Sequence, residues 1–137
     1  VTTKPISLLP YVTASIAQTY HVLHHGRAEY TLVTPGNPPN VEKKVMGTDS
    51  TAGETRMLFV GSGVWKLSKI PSEDFDRAKT QDERDRTNCL ITEVVVPGFH
   101  WEDHKYLTVD ELKQLFGTSE RGEKYVEELI ASVKKQN

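Results

Sequence analysis

The stretch Cys89-Leu-Ile-Thr-Glu-Val-Val-Val-Pro-Gly98 constrains the fold more than any other. A run rich in β-branched side chains ends on a Pro-Gly stop, which is the pattern of a strand closed by a turn. Cys89, Ile91, Glu93 and Val95 alternate with Leu90, Thr92, Val94 and Val96, so both faces are largely apolar. A strand of that kind is expected inside a packed barrel or sandwich. Glu93 is the exception, because a carboxylate placed there requires a partner or a wet pocket.

Upstream, short apolar runs recur between clusters of turn formers. Ile6 to Leu9, between Pro5 and Pro10, gives at best a short edge strand, since proline donates nothing to a ladder. Tyr20 to His25 and Glu29 to Val33 flank Gly26 and predict a hairpin. The turn-rich segment Thr34 to Asn40 precedes a strand at Val41 to Met46. Arg56 to Val60 and Val64 to Ile70 follow, joined by Gly61-Ser-Gly63. Strands are thus expected over about residues 6–96, interrupted by a charged loop at 71–86. Its mixture of both charge signs predicts a solvated, mobile insertion, with a flap over a pocket as the sharper alternative.

After Leu107 the period becomes helical. Thr108-Val-Asp-Glu111 is a capping box, Leu112, Leu115 and Phe116 make an apolar face, and Gly117 is a stop. A second helix from about Glu120 to Lys135 would align Val126, Leu129, Ile130 and Val133. Helices at about 108–135 packed outside a β-unit give a single domain, 1–137, that is mainly β with a helical tail.

Composition narrows the function classes. With 137 residues the chain can bury a core unaided. A formal net charge of -2 gives no field that favours nucleic acid. No apolar run approaches the roughly 20 residues of a membrane span, and Val1 to Pro10 has no signal-peptide centre. Beginning at Val1 suggests trimming. Cys89 is the single cysteine, which fits a reducing compartment; the expectation is a cytoplasmic protein.

Tyr20-His-Val-Leu-His-His-Gly26, Gly63-Val-Trp-Lys66 and Glu93-Val-Val-Val-Pro-Gly-Phe-His-Trp-Glu-Asp-His104 resemble the small cupins of the "domain of unknown function 985" family, in its fungal form. The resemblance spans about residues 16 to 117, and the Pro-Gly-Phe-aromatic-acidic-Asp segment is its most specific part. It implies a cupin-like double-stranded β-helix, a jelly-roll barrel, that forms a homodimer and binds a small-molecule ligand inside. It also implies that the family's segment upstream of the first motif is largely replaced by Val1 to Val12. Metal-binding cupins carry histidines and a glutamate in one motif and a histidine in another. Here Gln18 falls near the glutamate position, Thr13 near the first histidines, and Lys66 at the second-motif histidine. That substitution pattern implies no metal and no cofactor.

Several residues could carry chemistry. Lys66, if it faces inward with Val64 and Ser68, would place an ammonium in an apolar pocket; otherwise it points to solvent or pairs with Glu93. Glu93 is a candidate general base, or half of a buried ion pair. On a regular strand His21 and His25 share one face and His24 the other, and ordinary hydrogen-bonded histidines are the bland reading. Glu102 and Asp103, being adjacent, make a weak acid–base pair. The catalytic candidates are therefore Lys66, Glu93 and His21; Gln18, Tyr20, Tyr30, Trp65 and His104 are candidates to bind substrate. The leading expectation is a metal-free enzyme moving protons on a small oxygenated metabolite, by isomerisation, epimerisation, dehydration or cyclisation. A non-catalytic small-molecule-binding dimer is the second, and a metal-dependent oxygenase the third.

Overall fold

The structure is a computed structural model that describes residues 11–133, together with the backbone of residues 2–5. Its strands are β1 (Thr2–Pro5), β2 (Thr13–Ser15), β3 (Gln18–Gly26), β4 (Ala28–Thr34), β5 (Asn40–Met46), β6 (Met57–Val60), β7 (Trp65–Lys69), β8 (Cys89–Val96) and β9 (His104–Tyr106). They form two antiparallel sheets, one in the order β1-β8-β3-β6 and the other β5-β4-β7-β2-β9. Helices α1 (Ser72–Arg77), α2 (Gln81–Asp85), α3 (Val109–Phe116) and α4 (Glu120–Leu129) complete the chain.

This arrangement corrects the expected jelly-roll barrel. Each sheet is open, ending on β1 and β6 in one and on β5 and β9 in the other, and among the described residues no ladder joins those ends. The architecture is mixed α/β: two open sheets with C-terminal helices, neither a closed β-barrel nor mainly β. The physical cause lies in the turns. Gly26, at φ +80°, ends β3 in one sheet, and the chain starts β4 in the other. A Cβ at Gly26 would lie 1.8 Å from the Asn88 carbonyl oxygen, so the approach of backbone to backbone requires glycine. The Gly61–Gly63 turn makes a second such crossing, from β6 to β7. The expected hairpin around Gly26 is therefore also corrected: β3 pairs with β6 and β8, and β4 with β5 and β7.

Two apolar clusters hold the layers together. Leu23, Leu58, Val60, Cys89 and Ile91 of the first sheet meet Ala28, Tyr30, Leu32 and Met46 of the second. The opposite face of the second sheet, through Val33 and Leu67, packs on Leu107, Leu112, Phe116, Leu129 and Val133. Strand β4 is buried on both sides, Tyr30 and Leu32 facing one cluster and Val33 the other. Fully burying each such large side chain stabilises by about 1.5–3 kcal/mol. The outer face of the first sheet is different, for Met57, Phe59, Leu90 and Val96 are exposed there. Strand β8 is accordingly buried on one face only, against the expectation of two.

The segment at 71–86, expected as a charged loop, carries local helical structure. It makes the short helices α1 and α2, and Thr80 and Glu83 form a capping box on α2. Phe75 packs against the inter-sheet cluster, and Arg27 bonds Asp74 at 2.7 Å and Glu54 at 2.7 Å. The C-terminal reading holds for α3, with the Thr108–Glu111 box and the stop at Gly117 in place. Helix α4 ends at Leu129, before a 3-10 turn at Ile130–Ser132, and is shorter than expected. The proposed edge strand at Ile6 to Leu9 lies outside the described residues.

Candidate functional site

Alternation along β3 sends Thr19, His21 and Leu23 toward the second sheet and Gln18, Tyr20 and Val22 to the other side. Glu93 is the register partner of His21 across β3 and β8, so the two side chains rise from the first sheet side by side. Opposite them, Tyr30 stands on β4 and Lys66 on β7. Four titratable side chains from two sheets thereby converge in one place.

The contacts are close. Lys66 Nζ donates to Glu93 Oε1 at 2.6 Å and lies 3.1 Å from His21 Nε2. His21 Nε2 is 3.7 Å from the same Glu93 oxygen and 3.2 Å from Thr19 Oγ1. On the other side of the ring, Nδ1 is 3.1 Å from the Tyr30 hydroxyl. The Glu93 side chain is 4% exposed and that of Lys66 12%, so Lys66 is the more solvent-accessible of the pair. A charge so enclosed persists only if paired, and each of these two pairs the other. Burial, with help from Cys89 and Glu93, raises the Tyr30 phenol well above its ordinary value. Burial also pushes the Cys89 thiol up to about 11, which keeps it inert and protonated near neutrality.

Of the sequence candidates, the structure brings His21, Tyr30, Lys66 and Glu93 together. It places the others elsewhere. Gln18 is exposed, and Tyr20 lies on the outer face of the first sheet with its ring 5.0 Å from that of Phe59. Trp65 faces the helical side of the second sheet, with Lys105 Nζ 5.9 Å from its ring centre. His104 belongs to an aromatic group with Phe99 and Trp101 at the start of β9. A bulge between Leu23 and His25 breaks the alternation, so His25 is exposed and does not share the site of His21. His24 bonds Thr92. Thr19 is the site member that residue-by-residue reading missed, although its i, i+2 relation to His21 on a strand was a usable signal. A surface depression of about 580 Å³, lined by Lys44, Val45, Thr55, Met57 and Phe59 among others, lies away from this cluster.

The donor set does not suit a metal. Among the described residues no three His, Cys, Asp or Glu side chains are grouped to hold an ion. In the cluster itself, the Lys66 ammonium already sits between the imidazole and the carboxylate that could serve as ligands, and its charge opposes a second cation.

Comparison with known proteins bears on the family. Residues 9–107 match the family model described as Cupin superfamily (DUF985). The uncharacterized protein YML079W of Saccharomyces cerevisiae is 38% identical over 111 residues, covering 80% of this chain and 49% of that protein. The chain thus spans about half the length of the curated relative it matches. Among solved structures, a hypothetical protein from Leishmania major aligns with a TM-score of 0.70 and 18% identity, over 90% of this chain and 72% of that one. Protein SO0799 from Shewanella oneidensis aligns at 0.68 and 14% identity, over 92% and 67%. At those identities the two structures speak to fold alone.

Proposed function

Given that the chain belongs to the cupin superfamily's DUF985 family, we propose that it binds a small oxygenated metabolite between its two sheets and moves a proton on it without a metal. One observation carries this reading: a lysine, a glutamate and a histidine, all within 3.7 Å of one another, are packed together almost out of solvent, with Lys66 the most exposed of the three. An ammonium and a carboxylate so placed supply both an acid and a base for isomerisation, epimerisation, dehydration or cyclisation. A carbonyl or hydroxyl oxygen approaching Lys66 would take a hydrogen bond from the ammonium and displace part of its bond to Glu93, freeing that carboxylate as the base. The unsuitable donor set supports the metal-free form of the reading.

The test uses the full chain in D₂O with a panel of hydroxyketones, keto acids and reducing sugars, read by proton NMR. Deuterium should enter a C–H next to the carbonyl of at least one compound. The charge-balanced variant Lys66→Gln with Glu93→Gln should abolish that exchange. Binding without exchange would leave a small-molecule-binding protein and overturn the catalytic part; neither binding nor exchange across the panel overturns the whole.

The chain also forms a homodimer in this reading. Support comes from the apolar outer face of the first sheet, where Met57 is 58% and Phe59 46% exposed.

A further inference from the structure

The roles within the cluster can be assigned more sharply, and the starting point is what each atom can donate. An ammonium has hydrogens and no lone pair, so Lys66 Nζ, 3.1 Å from His21 Nε2, meets that nitrogen only as a donor. Nε2 must then offer its lone pair. A proton on Nε2 would instead aim an N–H at a cation, while the nearest Glu93 oxygen, at 3.7 Å, is beyond hydrogen-bond reach. Thr19 Oγ1, 3.2 Å from Nε2, is a hydroxyl and turns to suit either arrangement. The Tyr30 hydroxyl, 3.1 Å from Nδ1, is likewise able to accept, and its buried ring holds it in place.

We infer that His21 carries its proton on Nδ1, donates it to the Tyr30 hydroxyl, and presents Nε2 as an acceptor to Lys66, so that His21 positions Lys66 while the proton exchanged with a ligand belongs to the Lys66–Glu93 pair. This assignment deepens the proposed function and rests on it for its meaning. It removes His21 from the groups that touch substrate and makes it a positioning residue. Lys66 is steered from two sides, by the carboxylate at 2.6 Å and the imidazole at 3.1 Å. The direction of hydrogen bonding then runs one way through the site: Lys66 to His21 to Tyr30. A tautomer is commonly set by the bond one ring nitrogen makes; here the Lys66 contact at Nε2 sets it, and the Tyr30 hydroxyl accepts from Nδ1 in response.

The test reads the tautomer directly, with no ligand or turnover. Long-range proton–nitrogen correlations through the imidazole ring of ¹⁵N-labelled full chain, with His21 assigned through bonds, should show Nδ1 protonated and Nε2 bare at neutral pH. In Tyr30→Phe the same tautomer should persist, because Lys66 still claims Nε2. In Lys66→Met, Nε2 should gain a proton from the tautomer equilibrium. A wild-type ring protonated on Nε2, or on both nitrogens, overturns the inference, as does an unchanged pattern in Lys66→Met. Should Lys66→Met not fold, the wild-type and Tyr30→Phe spectra still decide. A failed metabolite panel sinks the proposed function and leaves this assignment standing, whereas a wrong tautomer sinks the assignment and leaves the panel to decide the function.

Discussion

Lys66 Nζ lies 2.6 Å from Glu93 Oε1 although the two residues stand on different sheets. The pair is a charged rivet between layers that are otherwise joined by apolar contacts. Breaking such a pair on one side leaves an uncompensated charge where water hardly reaches, whereas removing both charges leaves none.

Lys66→Met alone should therefore cost about 3 kcal/mol of stability in urea unfolding, at the lower end of the buried-pair range because the lysine retains some solvent. Adding Glu93→Leu should recover most of that loss. A double variant as unstable as the sum of the two single ones would show that the residues act independently.

The two glycines with nearly equal φ should respond very differently. Gly26→Ala combines a left-handed φ of +80° with a Cβ 1.8 Å from the Asn88 carbonyl, and should cost about 3 kcal/mol or more. Gly53→Ala, at φ +79° with nothing within 4 Å, should cost about 1 kcal/mol. Thermal unfolding of both variants checks the ranking, and equal losses would refute the close approach at Gly26.

Acid should weaken the anchor of the segment around Glu54. The Asp49 amide donates to its carboxylate, and this bond, with Arg27 beside it, outweighs burial and holds the group below the ordinary glutamate value. A carboxylate lowered on folding contributes fully above its unfolded value, roughly pH 4.3, and that contribution is lost as the pH falls through the folded value. The stability gap between wild type and Glu54→Gln should therefore be largest near neutrality and shrink below about pH 4. A gap that stays constant or widens in acid contradicts the assignment.

Phe59→Glu places a charge on the outer face of the first sheet, where the side chain is already 46% exposed. Stability should change by less than about 0.5 kcal/mol, as for ordinary surface positions. Sedimentation should show the proposed homodimer giving way to monomer. A dimer that survives the change would place the contact on another face.

Much of this architecture is readable in the residues. The capping box at Thr108–Glu111 and the Gly117 stop rest on local chemistry, and they occur as written. The alternation in Cys89 to Glu93 also survives, since it depends only on the pleat. What was not legible is which strands pair. Tyr20 to His25 and Glu29 to Val33 look like a hairpin because a glycine separates two β-runs, but Gly26 serves a crossing forced by contact with Asn88, a residue distant in sequence. A closed barrel was expected where the sheets are open for the same reason: closure is a property of pairing, and local pattern is silent about it. Likewise the charge of 71–86 hid Phe75, whose single aromatic ring fastens α1 to the core. In the site, Lys66 and Glu93 were legible as misfits in β-runs, being ionisable groups among apolar neighbours. Tyr20 and Trp65 were not separable from Tyr30, because only the facing sheet decides which aromatic ring meets His21.

An open sheet leaves unpaired amide and carbonyl rows at its margins, and these invite pairing with another molecule. Strand β5 forms one such margin, and it carries Glu42, Lys43 and Lys44 in succession. These charges act as a guard against edge-to-edge aggregation. The margin at Met57–Val60 carries none and is short, at four residues. Neutralising Lys43 and Lys44 would thus tell in solubility at high concentration more than in folding free energy.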